Sequence, residues 1–175
     1  MANTEPRRRN SLRLKGFDYS QPGAYFITTV TQHRVCLFGE VVDGVMRLNN
    51  AGKIVKTVWV ELPIHYPHVE LGTFVVMPNH VHGVIILTDT VGVGLRPAPT
   101  IPAKHYSLSE IMRALKSFSS RRIHQTEKFS QKRIWQRGFH DRIIRNDAEW
   151  QKIHLYIETN PANWDDDEEN PSAIK

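Results

Sequence analysis

The chain has 175 residues, 40% of them hydrophobic and 23% charged, with a formal net charge of +5 at pH 7. This balance excludes an intrinsically disordered chain, and we expect residues 1–175 to form a single domain with its own core. The only cysteine, Cys36, excludes a disulfide framework and a cysteine-based zinc site, and it favours a cytoplasmic protein. The longest apolar stretch, 74–87, is interrupted by polar residues and is too short to span a bilayer, so no membrane association is expected.

Basic residues are concentrated in the middle of the chain. Between 113 and 145 there are ten lysines and arginines against two acidic residues. Residues 1–15 add a basic arm, and 165–175 form an acidic tail that begins with five consecutive acidic residues. A solvated helix face would explain any one of these runs. Two basic segments with interleaved aromatic residues make nucleic acid the leading candidate partner.

The first third of the chain predicts a strand and a short β-ribbon. Residues 24–31 are rich in β-branched and aromatic side chains, as strands usually are. Two apolar runs, 36–42 and 45–48, flank Asp43 and Gly44, a dipeptide that suits the positive backbone angles of a tight hairpin turn.

A helix and two strands are predicted next. Apolar residues recur at helical spacing from 51 to 62, and Pro63 predicts the end of that helix. The strand candidates 69–77 and 80–87 are separated by the turn dipeptide Pro-Asn at 78–79.

The second half predicts a long loop, two helices and one strand. The loop, 88–106, is rich in proline and glycine. Residues 107–110 fit a capping box that opens an amphipathic helix, and a strand is predicted at 139–145. A last helix, 146–160, begins with a second capping-box pattern. Without the ribbon and the last helix, the order is βαββαβ, which predicts an α+β, ferredoxin-like antiparallel sheet.

Two histidines are the first candidates for chemistry. His80 and His82 lie two residues apart in a predicted strand, so both imidazoles emerge from the same sheet face. Such a pair supplies two ligands of a divalent metal site. A buried pair with a structural role is the alternative, since short motifs often occur by chance.

The last helix carries the second set of candidates. Lys152, Tyr156 and Asn160 are spaced four apart and therefore share one helical face. A half-buried Tyr156 and an Asn160 that merely ends the helix would explain the pattern without function. Because Pro161 follows, we expect Asn160 to leave the α-helical conformation.

Together the motifs resemble one family. The hexapeptide MPNHVH at 77–82, WQR at 135–137, DRIIR at 141–145 and YIETNP at 156–161 occur in the order found in REP-associated tyrosine transposases. These are single-tyrosine HUH nucleases related to small insertion-sequence transposases that act on single-stranded DNA. The resemblance extends over roughly residues 14–164 and implies the same fold, with the tyrosine on a C-terminal helix.

The resemblance implies a reaction and the residues that perform it. His80 and His82 would bind Mg²⁺ or Mn²⁺, which polarises the scissile phosphate, and Tyr156 would attack it to form a 5′-phosphotyrosine linkage. Related enzymes have a glutamine one turn after the tyrosine as third ligand, and Asn160 stands at that position here. A phenol with an ordinary pKa of about 10 needs such help to act near neutral pH.

The expected partner is single-stranded or hairpin DNA, and a homodimer is expected by analogy with related transposases. The alternatives are a domesticated protein that binds hairpin DNA without cutting it, and a metal nuclease that uses water instead of tyrosine. The basic side chains predicted to bind DNA are Arg113, Lys116, Arg121, Arg122, Arg137 and Lys152.

Overall fold

The computed structural model describes residues 18–89, 105–126 and 133–173. The predicted arm 1–15 and most of the predicted loop 88–106 lie outside these ranges. The elements in chain order are β1 (Gly23–Val30), β2 (Gly39–Val42), β3 (Val45–Leu48), α1 (Asn50–His65), β4 (Val69–Val76), β5 (His80–Leu87), α2 (Leu108–Thr126), β6 (His140–Ile144) and α3 (Asp147–Thr159).

Four of the strands form one antiparallel sheet in the order β4-β5-β1-β6. In this order the first and third strands of the βαββαβ pattern, β1 and β5, lie at the centre, which is the ferredoxin-like arrangement. The α+β fold class predicted from the sequence is therefore confirmed. Strands β2 and β3 pair with each other and form the predicted ribbon.

The two faces of the sheet carry different layers. Helices α1 and α2 pack on one face, where the main core includes Trp59, Leu115 and Ile85. Helix α3 covers part of the other face through Ile153 and Ile157. Because side chains alternate along a strand, β5 sends every second residue to the main core and the others towards α3.

Local sequence signals explain several element boundaries. Asp43 and Gly44 have φ of 52° and 72°, so the hairpin between β2 and β3 has the left-handed turn that this dipeptide favours. Ser107 and Glu110 form the predicted capping box, in which each side chain accepts a hydrogen bond from the other residue's backbone N–H. Asn49 caps α1 by accepting from the N–H of Gly52.

One boundary differs from the prediction. Pro63 lies inside α1, which continues to His65. A proline in the last helical turn removes only one backbone hydrogen bond, and the N–H of Tyr66 still donates to the Leu62 carbonyl at 2.9 Å. In the described ranges, no helix has the length and apolar character that a bilayer crossing needs.

Candidate active site

The two histidines lie at the start of β5 and face α3. His80 is fully buried and the side chain of His82 is 3% exposed. Their ring centroids are 4.4 Å apart. The pair therefore emerges from one sheet face, as the spacing of two predicted.

Hydrogen bonds fix the orientation of both rings through their Nδ1 atoms. Asn79 donates through Nδ2 to the carbonyls of Arg34 and Glu169, so its Oδ1, 2.8 Å from His80, acts as the acceptor for Nδ1–H. Thr28 Oγ1 lies 2.8 Å from Nδ1 of His82. Metal-binding histidines are commonly held in this way, since a partner on one ring nitrogen leaves the other free to bind.

Burial keeps the imidazoles neutral. It lowers the pKa of His80 to about 4, although the charge of Asp167 and the amide of Asn160 partly oppose this shift. Burial, together with the neighbouring His80, also lowers the pKa of His82 well below its ordinary value. Neutral imidazole is the form that binds a metal ion. The Nε2 atom of His80 is buried and has no hydrogen-bond partner in the described structure.

Helix α3 brings Tyr156 to the same place. The Asn146 side chain caps this helix by accepting from the N–H of Glu149. The Tyr156 hydroxyl lies 3.1 Å from Nε2 of His82, and the ring of Phe26 meets the tyrosine ring edge-on. Tyr156 is 46% exposed, so a ligand can reach the phenol from solvent. One chain thus places the tyrosine and the histidines together.

The phenol of Tyr156 is poorly ionised in this setting. Burial and the charges of Asp167 and Glu168 raise the pKa of Tyr156 to about 12, while the amide of Asn160 opposes the shift. The hydroxyl is therefore protonated near neutral pH. Any reaction in which its oxygen attacks an electrophile needs additional positive charge nearby.

Asn160 is buried beside His80 and Tyr156. It keeps α-helical backbone angles, with φ of −56° and ψ of −41°, so the expectation that Pro161 would displace it is wrong. The preference against the α conformation before proline is overcome because the chain continues directly into a 3₁₀ turn, Pro161–Asp166. The Nδ2 atom donates to Asp167 at 3.0 Å, and the buried Oδ1 has no partner among the described atoms.

Asp167 is the site residue that the sequence did not single out. It is one of five consecutive acidic residues, a pattern that predicts only an acidic tail. Its side chain is 8% exposed, and its oxygen lies within 4.8 Å of ligand atoms of His80 and His82. No spacing in the sequence distinguishes it, because its position depends on how the 3₁₀ turn after α3 folds back.

These side chains fit a divalent cation. Two imidazole nitrogens and a carboxylate oxygen lie within 4.8 Å of one another, and the Asn160 amide contacts that carboxylate. Among the described residues, Nε2 of His80 and Oδ1 of Asn160 are buried without hydrogen-bond partners. Nitrogen and oxygen donors of this kind suit cations such as Mn²⁺, with oxygen ligands preferred by Mg²⁺. We refer to His80, His82, Tyr156, Asn160 and Asp167 as the histidine centre.

Three of the predicted DNA-binding residues lie together in a second place. Arg113, Lys116 and Arg137, with Arg133, line a cavity of about 340 Å³ between α2 and residues 133–137, which we call the basic cavity. Lys116 donates to the carbonyls of Gln136 and Gly138, and burial lowers the pKa of its ammonium group to about 8.

The remaining predicted residues are separate from this cavity. Arg121 is exposed on α2, and Arg122 forms an ion pair of 2.7 Å with Glu61 of α1. Lys152 is exposed on α3. Trp135, which lies between basic residues in the sequence, is 3% exposed and donates to Ser119 Oγ at 2.9 Å. Its ring belongs to the core and is not available to stack on a base.

Comparison with known proteins gives a family match for part of the chain and a similar fold. Residues 100–160 match the family described as transposase, IS200-like, a segment that includes Tyr156 and Asn160. An uncharacterised protein of Haemophilus influenzae is 35% identical over an alignment of 175 positions that covers 95% of this chain and 95% of that protein. The fold is similar to that of a REP-associated tyrosine transposase bound to a REP hairpin, with a TM-score of 0.59 and 19% identity over 89% of this chain and 74% of that chain. Residues 100–160 of this chain thus match the IS200-like transposase family.

Proposed function

We propose that this transposase-family enzyme is a metal-dependent endonuclease and strand transferase that cuts single-stranded or hairpin DNA through a covalent intermediate on Tyr156. The observation that carries the proposal is the position of the Tyr156 hydroxyl, 3.1 Å from Nε2 of His82, beside the unpartnered Nε2 of His80. A nucleophile next to a ready set of metal ligands is the minimum that this reaction needs.

The proposed metal ligands are His80, His82 and Asn160, with Mg²⁺ or Mn²⁺ as the cation. When bound, the cation would polarise the scissile phosphate and balance the charge that develops there. The Nδ1 contacts of the two histidines and the packing of α3 supply the rigid positions that such a site requires.

The proposed chemical step is an in-line displacement at phosphorus. The Tyr156 oxygen forms a bond to the phosphorus and loses its proton, while the bond from phosphorus to the 3′ oxygen breaks. The 3′ oxygen takes up a proton and leaves as a hydroxyl, so one DNA piece ends in 5′-phosphotyrosine. Attack by a 3′-hydroxyl reverses the step and rejoins strands without an external energy source. Lys152, one turn before Tyr156 on α3, is proposed to contact a phosphate or the leaving oxygen.

Two observations support DNA as the substrate. The IS200-like family is one of transposases, and the solved REP-associated relative is bound to a REP hairpin. Of the predicted DNA-binding residues, Arg113 and Arg137 are exposed in the basic cavity and are best placed to meet phosphates. Lys116 donates to a backbone carbonyl and Arg122 is paired with Glu61, so we propose that they contribute less to DNA binding. We propose a smaller contribution also from the exposed Arg121, which lies outside the basic cavity.

The proposal includes the assembly and the compartment. Because Tyr156 and His82 of one chain meet, a monomer already contains the proposed centre, and a homodimer remains a prediction about the assembled form. The single cysteine, Cys36, is the observation that supports the cytoplasm.

Adduct formation tests the nucleophile. A labelled hairpin with single-stranded flanks is incubated with the protein and Mn²⁺, and denaturant-resistant protein–DNA adducts are resolved on a gel. We expect the adduct with the wild type and with the control Tyr66→Phe, which alters a tyrosine packed against Tyr106. The Tyr156→Phe variant should form none. An adduct in that variant would show that another residue is the nucleophile.

The same experiment separates the alternatives. Hairpin binding by the wild type without cleavage in Mg²⁺ or Mn²⁺ would identify a DNA-binding protein that does not cut. Cleavage that leaves no adduct, and that persists in Tyr156→Phe, would identify a nuclease that uses water.

A further inference from the structure

Asp167 differs sharply from the acidic residues around it. Asp165, Asp166 and Glu168 are exposed, whereas the side chain of Asp167 is 8% exposed and turned towards the histidines. Its two oxygens accept hydrogen bonds from Asn160 Nδ2 at 3.0 Å and from the N–H of Glu169 at 2.7 Å. The residue is thus built into the fold at a defined position.

The charge of Asp167 lacks a cationic partner within the described ranges. No lysine or arginine there forms an ion pair with it, since the ion pairs of the described residues involve other carboxylates. Burying a carboxylate without a cation is costly, and proteins normally pair such a group or place it on a metal. The imidazoles of His80 and His82 lie within 4.8 Å of the Asp167 oxygen.

The surrounding atoms indicate what would complete the arrangement. The oxygen of Asp167 and nitrogen atoms of His80 and His82 lie within 4.8 Å of one another. Nε2 of His80 and Oδ1 of Asn160 are both buried, and neither has a hydrogen-bond partner among the described atoms. Because Asn160 donates to Asp167 through Nδ2, its Oδ1 is left as a possible second oxygen ligand.

We propose that Asp167 is a fourth protein ligand of the divalent cation, and that its charge makes DNA binding at the histidine centre depend on that cation. This inference rests on the proposed metal-dependent function and extends its ligand set. Without the cation, the carboxylate faces the place where the scissile phosphate would lie and repels it. With the cation bound, the same carboxylate strengthens the site that attracts the phosphate.

Metal binding without DNA tests the first part. Free Mn²⁺ is titrated with protein and measured by its electron paramagnetic resonance signal, for the wild type, Asp167→Asn and the control Asp166→Asn. We expect Asp167→Asn to bind Mn²⁺ at least about tenfold more weakly, and Asp166→Asn to match the wild type. Affinity of Asp167→Asn within twofold of the wild type, or no Mn²⁺ binding by the wild type, would overturn the inference. Circular dichroism checks that both variants are folded.

A double-mutant cycle distinguishes a ligand from a residue that only orients Asn160. Mn²⁺ affinity is compared for Asn160→Ala, Asp167→Asn and the double variant. If Asp167 is a ligand in its own right, Asp167→Asn weakens Mn²⁺ binding also when Asn160 is already alanine. If Asp167→Asn has no effect in that background, Asp167 acts only through Asn160 and the proposed coordination is wrong.

DNA binding tests the second part. Anisotropy of a fluorescein-labelled hairpin is measured with Tyr156→Phe protein, which prevents cleavage, in EDTA and in Mn²⁺. We expect Mn²⁺ to tighten binding about tenfold, and the added change Asp167→Asn to tighten binding in EDTA and reduce the gain from Mn²⁺. If Asp167→Asn leaves the ratio of hairpin affinity in Mn²⁺ to that in EDTA unchanged, the proposed dependence of DNA binding on the cation through Asp167 is wrong.

The outcomes are separable from those of the proposed function. Adduct formation on Tyr156 together with normal Mn²⁺ binding by Asp167→Asn would contradict only the assignment of Asp167 as a ligand. Mn²⁺ binding that depends on Asp167, without any adduct, would contradict the covalent reaction and support the ligand assignment.

Discussion

The histidine centre and the basic cavity differ in the burial and the charge of their side chains. In the histidine centre the imidazoles are buried and neutral, and the one acidic side chain is the carboxyl group of Asp167. In the basic cavity Arg113, Arg133 and Arg137 are exposed and form no ion pair with any residue of the described ranges. We infer that the two regions divide the work, with general attraction of DNA in the cavity and chemistry in the centre.

The two regions are nevertheless mechanically connected. The N–H of Gln136, in the wall of the basic cavity, donates to the carbonyl of Val30 at 2.9 Å. Val30 is the last residue of β1 and pairs with His80 across the sheet. The proposed division between DNA attraction and chemistry is tested by substitutions that should affect one region and leave the other unchanged in spite of this connection.

Removing a metal ligand should have the largest effect and should be confined to chemistry. His80→Ala is expected to lower hairpin cleavage in Mn²⁺ by more than about 100-fold, because the variant lacks one of the proposed ligands. Hairpin affinity in EDTA should stay within about twofold of the wild type. The control is His65→Ala, an exposed histidine of α1. Loss of affinity in EDTA equal to the loss of cleavage would mean that the regions are not separate.

Neutralising the basic cavity should have the converse effect. The triple variant Arg113→Gln, Arg133→Gln, Arg137→Gln is expected to bind the hairpin about 10- to 100-fold more weakly, measured by anisotropy at several salt concentrations. The slope of log affinity against log salt should fall by about two units. Cleavage at saturating DNA should change less than about twofold.

The matched control for that variant removes the same number of charges elsewhere. Arg47, Lys53 and Lys56 are exposed on the ribbon and on α1, and their glutamine variants should bind almost as the wild type does. If both triple variants weaken binding equally, net charge alone explains the affinity and the cavity has no special part.

A smaller effect is expected from the hydroxyl that orients His82. Thr28→Val keeps the shape of the side chain but removes the contact to Nδ1, so Mn²⁺ affinity should fall about tenfold. Hairpin affinity in EDTA should not change. Thr29→Val is the control, because the buried Oγ1 of Thr29 has no partner in the described structure. Equal losses in both variants would assign the effect to packing.

The smallest effect concerns Lys116 and stability. Its pKa is about 8 in the fold and 10.5 ordinarily, so between these values the unfolded chain binds more protons and stability rises with pH. Lys116→Met lacks this contribution. The gain in the free energy of unfolding from about pH 8 to pH 10 should therefore be about 2 kcal/mol smaller in the variant, measured by urea denaturation. The exposed Lys152→Met should keep the wild-type profile, and an identical profile in Lys116→Met would contradict the assignment.

The sequence predicted most of what is local. The βαββαβ order, the Asp43–Gly44 turn and the capping box at Ser107 depend on residues within a few positions of one another, and the structure has all three. The same holds for the shared face of His80 and His82. Pro63 is the exception, because the cost of a proline depends on how many helical bonds remain after it.

What the sequence could not predict depends on tertiary placement. Asp167 reaches the histidines only because a 3₁₀ turn follows α3, and in the sequence it is indistinguishable from its acidic neighbours. Trp135 stands among basic residues, a pattern typical of nucleic-acid contacts, yet its ring packs near Phe38 in the core. Charge counts likewise could not show that Lys116 donates to backbone carbonyls of the protein while Arg113 forms no ion pair with any described residue.

The close packing behind β5 has a consequence for tolerance to mutation. Gly83, next to His82, leaves no room for a side chain, because a Cβ there would lie 2.5 Å from the ring of Trp59. Trp59 belongs to α1, on the face of the sheet opposite the histidines, and stacks on Phe74. A screen for inactive variants should therefore recover substitutions at positions 59 and 83 that leave DNA binding intact, even though neither side chain could touch a substrate. Such a result would show that packing on the face of the sheet opposite the histidines is needed for activity.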